Sequence, residues 1–336
     1  MSRYEAAHAF DKLGGPGDAR PTAQQIIQDC NKENALQGKV ILITGVTSGL
    51  GTASAVALAS TGATIYAAGR SADRAKAALA TIADSPNVHF LELDLASNAS
   101  VRAFAADFLK HSGGKLHILM NNAGGILSER TVTEDGFEKQ FAINYVGQFL
   151  LFSLLKDALL SSASPEFPSR VVNLTSLGHR YSAIRFDDLA FETGYTPYEA
   201  YGQAKTAAIY MASEIERRYG AQNLHAWSVH PGGILETQFL ANSGLDQAVI
   251  DQLLTSWPKQ MFKSNEQGAA TQVWAAVSDD VLQENARGKF LEEVSVSKPK
   301  EETDVPDFRG YIEHTYQPES AARLWTVTEK LVGAKA

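Results

Sequence analysis

The sequence predicts an α/β fold in which helices cover both faces of a doubly wound parallel sheet of about six to seven strands. Two observations carry this prediction. Short apolar runs alternate with helical patterns from Lys39 onward. Each run is almost continuously apolar, as a strand buried on both faces must be. The runs cover residues 40–44, 64–68, 88–93, 116–121, 171–175 and 225–230.

The segment between the third and fourth runs shows helical periodicity. Its apolar residues recur at intervals of three and four, which places them on one helix face. They are Val101, Phe104, Ala105, Phe108 and Leu109. Ser71 and Ser97 precede helical segments as candidate N-caps. Ligands of such sheets lie beyond the carboxyl ends of the strands, so functional residues should follow the strands.

The chain of 336 residues is 44% hydrophobic, and no Pro/Gly/Ser-rich linker divides it. We therefore expect one catalytic domain over residues 38–296, with a lid at about 238–264. An N-terminal arm, residues 1–37, precedes this domain, and a C-terminal extension, residues 297–336, follows it.

Charge and composition narrow the function classes. The net charge of -8 comes from mixed acidic and basic residues, which is no footprint for nucleic acid. The single Cys30 allows no internal disulfide and favours a reducing compartment, so we expect a cytoplasmic protein. The apolar stretch 146–160 is interrupted by Gln148, Lys156 and Asp157, which indicates a buried helix and no membrane span. No metal is expected.

A glycine-rich turn follows the first predicted strand. Residues 44–51 read Thr-Gly-Val-Thr-Ser-Gly-Leu-Gly and lead into an Ala-rich helical segment. Gly45 permits a tight turn, Gly49 lets the backbone approach a pyrophosphate, and Gly51 lets the helix pack on the sheet. An ordinary turn is the alternative, but this placement favours a Rossmann-type dinucleotide site whose helix start holds the anion. The neighbouring candidate contacts are Thr47, Ser48 and Leu50.

The second predicted strand ends in Gly69-Arg70-Ser71, where an NAD site would place an acidic residue. No acid is present. Arg70 instead offers a fork of donors suited to a 2′-phosphate, and Ser71 could add a hydroxyl donor. A solvated surface arginine is the alternative. The sequence therefore predicts NADP(H) as the cofactor.

Residues with catalytic chemistry follow later strands. They comprise Asn-Asn-Ala-Gly at 121–124, Asn144, Ser176, and the pair Tyr201 and Lys205, which share one helix face. A free tyrosine has a pKa of about 10, and a nearby ammonium favours its phenolate form. We therefore expect Lys205 to lower the pKa of Tyr201, which would exchange a proton with a carbonyl or alcohol oxygen. Ser176 would donate a hydrogen bond to that oxygen.

Tyr-x-x-x-Lys alone is common in amphipathic helices, but the ordered combination resembles the short-chain dehydrogenase/reductase family over about residues 38–295. The closest resemblance is to the branch of retinol dehydrogenases and carbonyl reductases. It implies catalytic roles for Asn144, Ser176, Tyr201 and Lys205, with Asn144 supporting a water-linked relay to Lys205, which holds the nicotinamide ribose. The cofactor contacts it implies include Asn122, Ala123, Gly124, Asp94 and Leu95, together with Tyr201 and Lys205. For Asp94 a loop or capping role is the alternative.

Three stretches are characteristic of that branch: 144–151, 176–180 and the insertion 177–200. Two features depart from the family pattern. The membrane-anchoring N-terminal segment of many retinol dehydrogenases is absent, which weakens retinol as the substrate. The Pro-Gly loop near nicotinamide is matched by Pro231, Gly232 and Ile234, but Thr237 falls one position late.

Beyond Thr237, the predicted lid is rich in apolar residues. These are Phe239, Leu240, Leu245, Val249, Ile250, Leu253, Leu254, Trp257, Met261 and Phe262. Such a lid favours a small apolar or cyclic substrate. A helix packed on the core is the alternative.

The usual reduced state of the cellular NADP pool favours reduction of a ketone as the direction. Two other functions stay open: an NADP-binding sensor or scaffold, and a non-redox isomerase, dehydratase or cyclase. A homo-oligomer is also left open.

Overall fold

The computed structural model describes residues 3–234, 241 and 243–336. Its core is a single sheet with the strand order β3-β2-β1-β4-β5-β6-β7-β8. The strands are β1 (Val40–Thr44), β2 (Thr64–Gly69), β3 (Val88–Glu92), β4 (Ile118–Asn121), β5 (Ser169–Leu174), β6 (Leu224–Val229), β7 (Phe290–Glu292) and β8 (Ser295–Val296). Neighbouring strands are parallel except for β7 and β8. The predicted doubly wound fold is confirmed.

The predicted count of six to seven strands is wrong, because the sheet has eight. β7 and β8 contain three and two residues, too few to show a periodic pattern. Glu293 and Val294 connect them with φ angles of 50° and 55°. Such left-handed angles are normally marked by glycine or asparagine, so the sequence carries no hairpin signal there.

The helices lie on both faces of this sheet. They are α1 (Ala23–Asp29), α2 (Gly49–Ala59), α3 (Ala72–Ala78), α4 (Asn98–His111), α5 (Lys139–Phe141), α6 (Gly147–Ser162), α7 (Pro197–Tyr219), α8 (Gln247–Ser256), α9 (Asn265–Gly268), α10 (Ala270–Val277) and α11 (Pro318–Val332). The predicted caps are confirmed, because Ser71 and Ser97 accept hydrogen bonds from backbone N–H groups of α3 and α4. On the predicted apolar face of α4, Leu109 is partly buried and the other four residues are buried.

One continuous helical segment runs from α5 through a π turn into α6. This segment, Lys139–Ser162, is long and apolar enough to cross a membrane, with a mean hydropathy of 1.2 in its most apolar window. Within the described residues 67% of that window is buried. It therefore packs as the buried core helix that the sequence predicts.

The two ends of the chain complete opposite sides of the core. On one face of the sheet, α1 packs against α2 and α10 through Ile26 and Ile27, which are fully buried. On the other face, α11 packs against α7 and buries Trp325 in the cluster formed with α4 and α6. The domain boundaries at residues 37/38 and 296/297 stay predictions.

Candidate active site

A cavity of about 550 Å³ opens at the carboxyl ends of the central strands, where the winding of the sheet reverses. Its wall combines the turn after β1 with the segments that follow β2, β4, β5 and β6. The predicted site residues that line it are Gly45, Thr47, Ser48, Gly49, Leu50, Gly51, Arg70, Asp94, Leu95, Asn122, Ala123, Gly124, Asn144, Ser176, Tyr201, Lys205, Pro231, Gly232 and Ile234. Ser71 is not among the lining residues, and Thr237 lies outside the described residues.

The glycine-rich turn is pressed against the segment after β4. Gly45 has a φ of +76°, and a Cβ on it would lie 2.7 Å from Cα of Ala123. A Cβ on Gly51 would lie 2.6 Å from Nδ2 of Asn122. Only glycine fits at both positions. The turn therefore leaves a bare backbone cradle at the start of α2, where free N–H groups and the helix dipole suit the pyrophosphate of a dinucleotide.

Asn122 holds this cradle through both ends of its amide. Its Nδ2 donates to the carbonyls of Thr44 at 2.9 Å and Gly45 at 3.1 Å, and its Oδ1 accepts from Gln272 at 3.2 Å. Thr44 Oγ1 accepts from the backbone N–H groups of Asn122 and Ala123, both at 3.1 Å. Thr44 and Gln272 are supporting residues that sequence reasoning missed. Thr44 adjoins the motif, whereas no local signal marks Gln272.

The two polar residues after β2 have separate roles. Arg70 lines the cavity with an exposed side chain, and within the described part of the chain no hydrogen bond or ion pair engages its guanidinium. Ser71 accepts from the N–H of Arg74 at 3.3 Å and so caps α3. After β3, the carboxylate of Asp94 accepts from the N–H of Ala96 at 3.0 Å, although the residue also lines the cavity.

Asn144 lies in a π turn, Ala142–Val146, between α5 and α6. Such turns often occur at functional sites because they break the regular helical bonding. The Nδ2 atom of Asn144 donates to the carbonyls of Gln140 at 2.8 Å and Gly125 at 2.9 Å, and Oδ1 accepts from Gly125 at 3.0 Å. A Cβ on Gly124 would lie 2.5 Å from this Oδ1 and 3.0 Å from Nζ of Lys205. The loop 124–125 therefore lies between Asn144 and Lys205.

Tyr201 and Ser176 hydrogen bond to each other at the wall of the cavity. Ser176 Oγ also accepts from the N–H of Gly178 at 3.0 Å. A Cβ on Gly178 would lie 2.7 Å from Cε1 of Tyr201, so a glycine is required against the ring. The phenol is thus fixed from two sides, with its oxygen beside a second hydroxyl group.

Burial dominates the protonation of both members of the Tyr-Lys pair. It raises the pKa of Tyr201, and the hydrogen bond to Ser176 opposes this rise. Burial lowers the pKa of Lys205 to about 7. The Lys205 ammonium donates to the carbonyl of Leu174 at 3.0 Å and lies 5.4 Å from the Tyr201 ring centre. Burial therefore sets the net direction for Tyr201, and the expectation that Lys205 lowers the phenol pKa stays a prediction.

Aromatic side chains form another part of the cavity wall. Tyr181 and Tyr198 lie with ring centres 5.8 Å apart, and Trp257 stacks on Phe262 at 6.0 Å. Of the predicted lid residues, Leu254, Trp257 and Phe262 line the cavity. The side chains of Phe239, Leu240 and Leu253 lie outside the described residues. Sequence reasoning missed Tyr181 and Tyr198, although both lie within the insertion 177–200.

Comparisons with known proteins relate most of the chain to named oxidoreductases. The family model for short chain dehydrogenase matches residues 39–248. Short-chain dehydrogenase/reductase prx1 from Penicillium roqueforti is 41% identical, over 96% of this chain and 94% of that protein. Oxidoreductase calI from Penicillium decumbens is 41% identical, over 100% and 99%. Mouse retinol dehydrogenase 12 is 36% identical, over 90% and 89%.

Solved structures show the same fold. A protein from Mycobacterium paratuberculosis superposes with a TM-score of 0.65 at 28% identity, over 89% of this chain and 95% of that chain. RhlG from Pseudomonas aeruginosa, in a complex with NADP, superposes with a TM-score of 0.62 at 24% identity, over 78% and 96%. The second likeness bears on the fold alone.

Proposed function

Because the chain belongs to the short-chain dehydrogenase/reductase family, we propose that it is an NADP(H)-dependent oxidoreductase that interconverts a ketone and an alcohol. The observation that carries this proposal is the hydrogen-bonded pair of Tyr201 and Ser176 in the cavity that also contains the glycine cradle. Lys205 and Asn144 line the same cavity. A proton donor and a site for a hydride carrier thus share one cavity.

The dinucleotide, when bound, supplies or accepts the hydride. The protein supplies the proton and the charge stabilisation. In reduction, Tyr201 Oη gives its proton to the carbonyl oxygen as that oxygen becomes an alkoxide, and in oxidation it takes the proton back. Ser176 Oγ donates a hydrogen bond to the same oxygen and stabilises its developing charge.

Lys205 and Asn144 would support the proton transfer indirectly, through Tyr201. A phenolate forms on Tyr201 after it donates, and the ammonium of Lys205 stabilises that charge. Asn144 anchors the loop at Gly124 and Gly125, and a Cβ on Gly124 would lie 3.0 Å from Nζ of Lys205. We assign Asn144 to the route by which a proton returns through Lys205 to Tyr201. The nicotinamide ribose would lie against Lys205.

The aromatic wall supports a small apolar or cyclic substrate. Tyr181, Tyr198, Trp257 and Phe262 line the cavity, and aromatic walls favour flat apolar groups. Ketone reduction is the proposed direction. The cytoplasm is the proposed location, supported by Cys30 as a free thiol.

Arg70 carries the choice of NADP(H) over NAD(H). We expect Arg70→Ala to weaken NADPH binding by about 10- to 100-fold, because charge-assisted bonds to a phosphate contribute roughly 1.5–3 kcal/mol. NADH, which lacks the 2′-phosphate, should bind nearly as well as before. Fluorescence titration of both cofactors against the wild type and the variant checks this. Equal losses for the two cofactors would contradict the 2′-phosphate assignment.

The proposed function is tested by following NADPH absorbance with a panel of aromatic and alicyclic ketones. Consumption of NADPH with formation of the matching alcohol is the expected result. Tight NADPH binding without consumption would instead support a sensor or scaffold. Product that still forms with a redox-inactive cofactor analogue would indicate an isomerase, dehydratase or cyclase.

A further inference from the structure

A buried ion pair lies directly behind the loop of Pro231 and Gly232. Lys263 is 1% exposed, and its ammonium donates to Glu293 Oε1 at 2.9 Å and to the carbonyl of Pro231 at 3.2 Å. Its backbone N–H donates to the carbonyl of Gly233 at 2.9 Å. The main chain and the side chain of Lys263 therefore hold the same loop.

The contact between this loop and the ammonium is tight. Gly232 has a φ of +93°, and a Cβ on it would lie 2.9 Å from Nζ of Lys263. Pro231 and Gly232 also line the cavity that contains Tyr201. The Pro231–Gly232 loop thus lies between the cavity and the buried ammonium of Lys263.

Glu293 connects the Lys263 ammonium to the N-terminal arm. Its Oε2 lies 3.1 Å from Nε2 of His8, whose Nδ1 lies 2.9 Å from the carbonyl of Tyr4. Arg309 donates to the carbonyl of His8 at 2.7 Å. Glu293 itself lies in the left-handed region in the turn between β7 and β8. An acidic residue in a strained backbone conformation therefore connects the arm, the sheet edge and Lys263.

Lys263 and Arg309 supply the positive charge near Glu293 at neutral pH, because burial lowers the pKa of His8 to about 4. Burial alone would raise the pKa of Glu293, but Lys263, His8 and Arg309 bring it well below its usual range. Burial lowers the pKa of Lys263, and Glu293 opposes that change. A buried ion pair adds little net stability compared with apolar residues. The contact of the Lys263–Glu293 pair with the Pro231–Gly232 loop therefore suggests that the pair positions this loop.

We propose that Lys263 is a positioning residue that fixes the Pro231–Gly232 loop against the bound nicotinamide nucleotide. Glu293 and His8 hold it in place, which makes the N-terminal arm part of the support of the active site. This inference rests on the proposed function for the bound nucleotide and for its turnover readout. Stability and cofactor affinity are measured independently of any substrate.

The test separates positioning from folding with a pair of variants. Lys263→Met leaves Glu293 buried beside fewer cations, so we expect a lower Tm together with weaker NADPH binding. Adding Glu293→Gln removes that unmatched charge, so Lys263→Met/Glu293→Gln should recover most of the Tm. The double variant should still bind NADPH about 10-fold more weakly and show kcat/KM lower by about 10- to 100-fold, because the loop has lost the side-chain hydrogen bond at Pro231.

Lys32→Met is the matched control. It removes an ion pair of the N-terminal arm, with Asp279 at 3.2 Å, that does not contact the cavity. We expect unchanged NADPH affinity in this variant. His8→Leu should weaken NADPH binding in the same direction as the double variant, and wild-type affinity in His8→Leu would overturn the role of the arm.

The whole proposal is overturned if affinity and turnover return together with Tm in the double variant, since the ion pair would then be purely structural. A wild-type protein that binds NADPH but turns over no ketone would count against the proposed function alone. The Kd and Tm comparisons would still decide the role of Lys263.

Discussion

Replacing Tyr201 with phenylalanine is expected to lower kcat by about 10²- to 10⁴-fold, the usual contribution of a general acid or base. The residue is 7% exposed, and its ring contacts Gly178, so phenylalanine fits the same space. Only the phenol oxygen is lost, and with it the proton that the alkoxide receives. NADPH affinity should change little. Steady-state kinetics and a cofactor titration on the same preparation check both statements.

Tyr210→Phe is the matched control for this prediction. Tyr210 lies on the same helix, and its hydroxyl donates to the carbonyl of His314 at 2.7 Å, outside the active-site cavity. Its loss should cost about 1 kcal/mol of stability and leave kcat unchanged. Near-normal turnover by Tyr201→Phe, with a ketone that the wild type reduces, would show that another group transfers the proton.

The parts of the site that follow strand ends could be predicted from sequence. Gly45 lies in the turn after β1 and Gly51 in the first turn of α2, and Tyr201 and Lys205 lie one helical turn apart on α7. The two members of each pair are close in the sequence, so their spacing alone is enough to predict that they lie near each other. Because ligands of such sheets bind beyond the carboxyl ends of the strands, both pairs are then expected at that edge of the sheet.

Contacts between distant segments could not be predicted in this way. The bond from Gln272 to Asn122 and the link from Lys263 through Glu293 to His8 depend on how helices and chain ends pack. No local pattern specifies such neighbours. The pKa of Tyr201 belongs to the same class, because it depends on burial by residues far away in the sequence.

The C-terminal helix supplies the second large expected effect. Trp325 on α11 is 1% exposed, and its ring centre lies 4.9 Å from Phe149 and 6.0 Å from Phe152 of α6. We expect Trp325→Ala to lower the free energy of unfolding by about 3–5 kcal/mol, the usual cost of removing a buried aromatic ring. Urea denaturation measures it. Leu331→Ala is the control on the same helix, because Leu331 is 43% exposed and should change stability by no more than about 0.5 kcal/mol.

Trp325→Ala also tests how the protein self-associates. The helices α6 and α7 present an apolar face that α11 covers with Leu324, Trp325 and Val332, and Thr328 of α11 hydrogen bonds to Tyr145 at 2.9 Å. A second chain cannot pair through this face while α11 occupies it. We therefore expect light scattering to show more association for Trp325→Ala than for the wild type, because a loosened α11 bares the face. A wild-type dimer whose cross-links map to α6 and α7 would contradict this assignment, since α11 would then have to leave the face in the native protein.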